Sequence, residues 1–198
     1  VFGWASGSYA EYAAVSQDAL AHKPANLTFE QAAAVPMAGL VALQAVRDHG
    51  KVGPGSRVLI NGASGGIGTF AVQIAKALGA EVTGVTSTRN LDLVRSIGAD
   101  HVIDYTTEDF TAGSRQYDFI LDNVSNRSLS ELRRALTPTG MLVPNGGNFA
   151  NRWLASGGRI VRALVIFSLS SQSLGNFLVA MRQADLEELK TMIEAGTV

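Results

Sequence analysis

Asn61-Gly62-Ala63-Ser64-Gly65-Gly66-Ile67-Gly68 constrains this chain more than any other segment. It joins a short apolar run, Arg57-Val-Leu-Ile-Asn61, to an amphipathic stretch from Thr69 to Leu78. A glycine turn between strand and helix lets backbone approach a phosphate without side chains in the way. The helix N-terminus then adds N–H groups and the positive end of a dipole. Aligned with G-x-G-x-x-G, Ala63, Gly65 and Gly68 take the glycine positions. The first is therefore alanine, which serves if that residue needs no positive φ. Taken alone, such a turn also has a second reading, as a packing device between helix and strand.

The surroundings favour the phosphate reading. After the linker Gly50 to Gly55, apolar runs and helix-spaced stretches alternate. Strands are expected at Arg57–Asn61, Glu81–Val85, His101–Asp104, Tyr117–Leu121 and Met141–Val143, with a last one near Leu174–Val179. Helices are expected at Thr69–Leu78, Leu91–Ile97, Leu129–Leu136 and Asp185–Ala195. This pattern predicts an α/β fold: a doubly wound, parallel, six-stranded Rossmann sheet that binds a dinucleotide. Ahead of the linker, Ser8 to Val15 alternates like a short strand, and Lys23-Pro24-Ala25-Asn26 reads as a turn. Thr28 with Gln31 forms a capping-box signature. The helix it starts passes or breaks at Pro36 and continues along Leu40, Leu43 and Arg47.

The end of the second expected strand bears on which dinucleotide. An NAD site places an acid there for the ribose hydroxyls, and that acid would repel a 2′-phosphate. Here the strand ends Val85-Thr86-Ser87-Thr88-Arg89, with no acid before Asp92. Arg89 can pair with a 2′-phosphate, and Ser87 and Thr88 add hydroxyls, so NADP(H) is the expected cofactor. Arg89 reads otherwise as a solvated helix-start residue. Tyr105, after the third strand, either adds a hydroxyl to the same phosphate or covers a strand end.

Composition closes off other classes. The 198 residues are 46% hydrophobic and 17% charged, enough for a core. With 16 basic and 17 acidic residues the net charge is -1. No field gathers nucleic acid or an anionic membrane, and neither partner is expected. There is no cysteine, hence no disulfide and no thiolate ligand or nucleophile. That absence suits a reducing compartment, and a cytoplasmic location is expected. Glu11 and Asp18 near the start, without a basic lead into an apolar run, give no signal-peptide pattern. The most apolar stretch, Ala163 to Leu169, falls short of the ~20 residues of a membrane helix. The chain opens on Val1 and stops in mid-pattern at Val198, as a fragment would. His22, His49 and His101 lack ligand-like spacing, so no metal is expected. Between Leu132 and Ala184 arginines occur without acids, which reads as a solvated basic face or as steering for an anionic cofactor.

Several segments occur together in order: Gly7-Ser-Tyr-Ala-Glu-Tyr12, Lys23-Pro24, Ala32-Ala-Ala-Val-Pro-Met-Ala-Gly39, Gly62-Ala-Ser-Gly-Gly-Ile-Gly68, Gly98-Ala-Asp-His-Val-Ile-Asp-Tyr105 and Asp122-Asn-Val124. Nearly the whole chain thereby resembles the zinc-independent medium-chain dehydrogenases/reductases, in their NADPH:quinone oxidoreductase branch. The turn is also similar to that of the short-chain dehydrogenases. They open with it, however, and need a Tyr-x-x-x-Lys pair, and no tyrosine here has that lysine.

The resemblance implies residues 1–27 as the remnant of a β-rich, GroES-like catalytic domain, 28–50 as a connecting helix and 51–198 as the dinucleotide-binding domain. It implies cofactor contacts along Gly62–Gly68 and at Asn123 and Val124. Gly146 and Gly147 would approach the nicotinamide, although Asn145–Asn148 also reads as a flexible turn. Met37 stands where zinc-dependent relatives carry a cysteine ligand, and Val41 replaces a threonine that often meets the nicotinamide. The implied function is NADP(H)-dependent hydride transfer to a quinone or carbonyl-conjugated small molecule, with no catalytic residue assigned. The alternative is a catalytically silent NADPH-binding module acting as redox sensor or scaffold. A homodimer through the sheet edge near Leu174–Val179 is expected.

Overall fold

The computed structural model describes residues 1–145, 167, 171–175 and 179–198. Two short strands, β1 (Phe2–Gly3) and β2 (Leu20–Ala21), pair antiparallel near the N-terminus. The strand expected at Ser8–Val15 is not formed. Alternation makes a strand only when one face is buried, and here Tyr9 and Tyr12 are both fully exposed.

Thr28 starts helix α1 (Phe29–Leu43). Its hydroxyl accepts from the Gln31 N–H at 3.2 Å, while the Gln31 side chain accepts from the Thr28 N–H at 2.9 Å. Pro36 deletes one helical hydrogen bond but does not end the helix, which runs on into a π-helical turn at Gln44–His49. Phe29–His49 is long and apolar enough to cross a membrane by length and composition. That amends the expectation that no such stretch exists. Most of it is buried against the sheet and the last helix, with Leu40, Ala42, Leu43, Ala45 and Val46 in the core, so its packing is that of a core helix.

Beyond the linker come β3 (Arg57–Asn61), α2 (Gly66–Ala77), β4 (Glu81–Thr86), α3 (Leu91–Ser96) and β5 (His101–Asp104). They are followed by β6 (Tyr117–Asp122), α4 (Leu129–Ala135), β7 (Leu136–Pro144), β8 (Ser173–Leu174) and α5 (Gln183–Glu194). The six strands form one parallel sheet in the order β5-β4-β3-β6-β7-β8. The order reverses between β3 and β6, the place where doubly wound sheets open a crevice at the carboxyl ends of their strands. α2 begins at Gly66, earlier than the Thr69 periodicity suggests, because the turn glycines themselves form its first turn. β7 also begins earlier than Met141, at Leu136, across a register shift opposite Tyr117 and Phe119. Residues 176–178, part of the expected last strand, lie outside the described residues.

Both faces of the sheet are covered. Val58, Ile60 and Phe119 join α1, α2 and α5 in one core, while Leu59, Ile120 and Leu142 pack with Leu132 and Ala135 of α4 in the other. Burial on both sides explains why these strands read as continuous apolar runs.

The last helix is tied back to the first by polar contacts. The Gln44 amide donates to the Ala180 carbonyl at 2.6 Å and to Asp185 at 2.7 Å, and its oxygen accepts from the Ala180 N–H at 2.9 Å. Arg47 pairs with Asp185 at 2.7 Å and with Glu188. Asp185 is buried and depends on these donors. Asp185→Ala should therefore lower stability by about 2–3 kcal/mol, the range for hydrogen bonds to charged groups, measured by urea unfolding.

Candidate functional site

The glycine turn is fixed by contacts of its own backbone. Gly62 takes φ +80°, a conformation favouring glycine. The N–H groups of Gly62 and Ala63 both donate to the Val85 carbonyl, at 3.1 and 3.0 Å. Ala63 keeps a negative φ and is fully buried, so alanine costs nothing at the first fingerprint position. A Cβ on Gly68 would stand 2.1 Å from the Gly62 carbonyl oxygen, closer than any side chain fits. Gly65 and Gly66 differ. A Cβ on Gly65 would meet nothing nearer than 3.4 Å, and one on Gly66 only the Ala38 methyl at 3.8 Å. Neither has a positive φ. No contact among the described residues requires glycine there, and the added atoms would fill the space over the start of α2.

That helix start has no side-chain cap, since its N-cap is Gly65. Ser64 stands beside it. Its Oγ accepts from Thr86 Oγ1 at 2.8 Å and from the Asn90 amide at 3.1 Å. A hydroxyl that accepts twice has its own proton left to donate. The uncapped helix end, the small residues and Ser64 together form an anion seat.

The facing loop follows β6. Asp122 is fully buried, and its Oδ1 accepts from the Asn61 amide at 2.8 Å and from the N–H groups of Val124 and Ser125 at 3.2 and 2.9 Å. Ser125 turns the chain at φ +58°. Asn123 donates to the Asn61 carbonyl at 3.2 Å and accepts from the Asn145 amide at 2.9 Å. Its side chain thus binds the ends of β3, β6 and β7 together. Val124 remains 43% exposed, with a methyl 2.9 Å from where a Gly62 Cβ would stand. Gly146 and Gly147 lie outside the described residues.

At the third corner, the ends of β4 and β5 meet. Thr88 Oγ1 donates to Asp104 at 2.5 Å, and Asp104 also accepts from the N–H and hydroxyl of Thr106 at 2.9 and 2.7 Å. The Thr88 hydrogen bond, followed by the Thr106 backbone, holds the Asp104 carboxyl below the usual range. The Thr88 hydroxyl proton is therefore not free, contrary to the simple reading of it as a phosphate donor. The Ser87 hydroxyl accepts a long 3.4 Å contact from the Asn90 amide, while its carbonyl accepts from the Asn90 N–H at 2.9 Å. Arg89 is exposed and has no ion pair among the described residues. Tyr105 is 49% exposed, with its N–H bonded to the Thr86 carbonyl.

The structure therefore brings Gly62–Gly68, Ser87, Thr88, Arg89, Tyr105, Asn123 and Val124 to the carboxyl ends of three adjacent strands and β6. Sequence pattern missed Asn61, Asn90, Asp104 and Asp122, which hold these residues in place. An acid ending an apolar strand was the one available signal for Asp104 and Asp122.

Residues 66–191 match the family model described as zinc-binding dehydrogenase. The chain belongs to the zinc-binding dehydrogenase family. It is 40% identical over 179 residues to the NAD(P)H oxidoreductase RTN4IP1, mitochondrial, of Mus musculus, covering 87% of this chain and 41% of that protein. It is 31% identical to the quinone-oxidoreductase QR1, chloroplastic, of Triphysaria versicolor, covering 96% of this chain and 58% of that one. The solved quinone oxidoreductase of Coxiella burnetii superposes with a TM-score of 0.77 at 30% identity, over 92% of this chain and 54% of that one. The chain thus spans about half the length of these zinc-binding dehydrogenase relatives. The mouse protein and its cattle and human counterparts are named as mitochondrial, which overturns the cytoplasmic location expected from composition.

Among the described residues the metal in the family's name finds no donor set. The chain has no cysteine, Met37 is a thioether, and among the described residues no three His, Asp or Glu side chains converge.

The two kinds of glycine should separate experimentally. Gly68→Ala forces the turn apart and should prevent native folding. Gly66→Ala should leave stability unchanged or raise it by up to about 1 kcal/mol, the helix-propensity gain, as read from thermal melts followed by circular dichroism.

Proposed function

We propose that this chain is the NADP(H)-binding part of an oxidoreductase acting on quinones or related carbonyl-conjugated small molecules. The observation that carries the reading is the anion seat: an uncapped α2 N-terminus under Gly65 and Gly66, glycines that no contact among the described residues requires. The names of the mouse, Triphysaria and Coxiella relatives support a nicotinamide cofactor and a quinone-type acceptor.

The residues divide the work by position. The first turn of α2 and Ser64 bind the pyrophosphate through N–H groups and a hydroxyl. Arg89 and Tyr105 face the 2′-phosphate at the ends of β4 and β5. Asn123 and Val124 border the ribose side, with Asp122 and Asn61 fixing their loop; Gly146 and Gly147 remain assigned to the nicotinamide by the family resemblance alone. The bound cofactor supplies hydride, and the protein contributes orientation and exclusion of water. No zinc step is part of the proposal. The partners are few: a small molecule, and a second copy paired along the edge beyond β8, the outermost described strand.

Titration with NADPH and NADH, followed by nicotinamide fluorescence, tests the reading. Arg89→Ala should weaken NADPH about tenfold or more, the worth of a charge-assisted contact, and leave NADH within about twofold. Failure of the folded wild-type chain to bind either nucleotide overturns the proposal. Light scattering after size exclusion checks the pairing: twice the 20.8 kDa chain mass is expected, and a monomer removes it.

A further inference from the structure

We propose that Asp104 is a masked acid that sets cofactor choice, its carboxylate oxygens occupied by Thr88 and Thr106. The inference rests on the reading of the β4 and β5 ends as the seat of the 2′-phosphate. An NAD site has a carboxylate at the end of the second strand, free to accept from the ribose hydroxyls. Here β4 ends without one. The neighbouring acid is Asp104, the register partner of Thr86 on the adjacent strand β5. A carboxylate thus stands one strand away from the usual place, beside the turn that carries Arg89.

Its oxygens are already engaged. Oδ2 accepts from Thr88 Oγ1 at 2.5 Å, and Oδ1 from the N–H and hydroxyl of Thr106 at 2.9 and 2.7 Å. The two hydroxyls also lie 3.1 Å apart, so both threonines close on the same carboxylate. Thr88 comes from the turn after β4 and Thr106 from the turn after β5. The hydrogen bonds hold the carboxyl below its ordinary range, so the charge is present at neutral pH while its oxygens are occupied by the two threonines. Arg89, one residue beyond Thr88, is left without a carboxylate partner among the described residues. The same two threonines therefore hide the acid that would favour NADH and leave free the base that favours NADPH.

Removing the mask while keeping the acid gives the test. Thr88→Val with Thr106→Val removes both hydroxyl donors, and the ratio of NADPH to NADH affinity should fall about tenfold as the freed oxygens accept from the ribose hydroxyls of NADH and lose the hydroxyl dipoles that offset their charge toward a 2′-phosphate. Adding Asp104→Asn to that double variant should restore the ratio to within about threefold of wild type, because the freed charge is gone. Binding is read by nicotinamide fluorescence on the full chain, with circular dichroism confirming the fold of each variant. A ratio that stays low in the triple variant assigns the loss to a disturbed turn or to direct threonine contacts and overturns the inference. An unchanged ratio in the double variant also overturns it, while the cofactor reading stands. If wild type binds neither nucleotide, the cofactor reading falls and the inference falls with it.

Discussion

The approach of Gly68 to the Gly62 carbonyl sets the geometry on which the site depends. With 2.1 Å between that oxygen and the place of a Cβ, the first turn of α2 lies directly on the end of β3. The helix thereby starts at the end of β3, beside the place where the strand order reverses between β3 and β6. Any side chain at Gly68 would tilt the helix away from the strand and carry the anion seat with it. Ser64, Asn90 and Thr86 then only have to hold the turn laterally.

The strand ends are joined by side chains of a consistent kind. Asn61, Asp122, Asn123 and Asn145 link β3, β6 and β7 through short polar groups, the asparagine amides donating and the Asp122 carboxylate and Asn123 oxygen accepting. Such groups can bond to backbone and to one another within a few ångströms, which long charged side chains cannot do without disorder at the site. The buried Asp122 carboxylate is stabilised by an amide and two backbone N–H groups rather than by a cation. A positive side chain at that place would add a fixed charge beside the loop that follows β6.

Much of this was legible in the residues. Thr28 with Gln31 marks a helix start by a rule that involves only neighbours, and the capping box is formed. Apolar runs such as Val58–Ile60 announce strands buried on both faces, and the glycine turn announces the join between β3 and α2. Ser8–Val15 shows where pattern fails: its alternation has no core to face. The pairing of Thr88 with Asp104 was not legible for a different reason. It depends on the register of β4 against β5, and a shift of one residue would bring other side chains together. Gly62 illustrates the same limit, since its positive φ arises one residue before the fingerprint position.

The bond between Asn61 and Asp122 spans 61 residues of chain. The glycine turn, by contrast, is built from β3, α2 and β4, which follow one another closely. During synthesis the anion seat can therefore take shape well before β6 exists. The loop that faces it arrives only when a later crossover has docked, and loop-closure entropy delays that step. A nascent chain passes through a stage with half of its crevice in place, an interval in which the exposed strand edge of β3 is the surface most in need of protection.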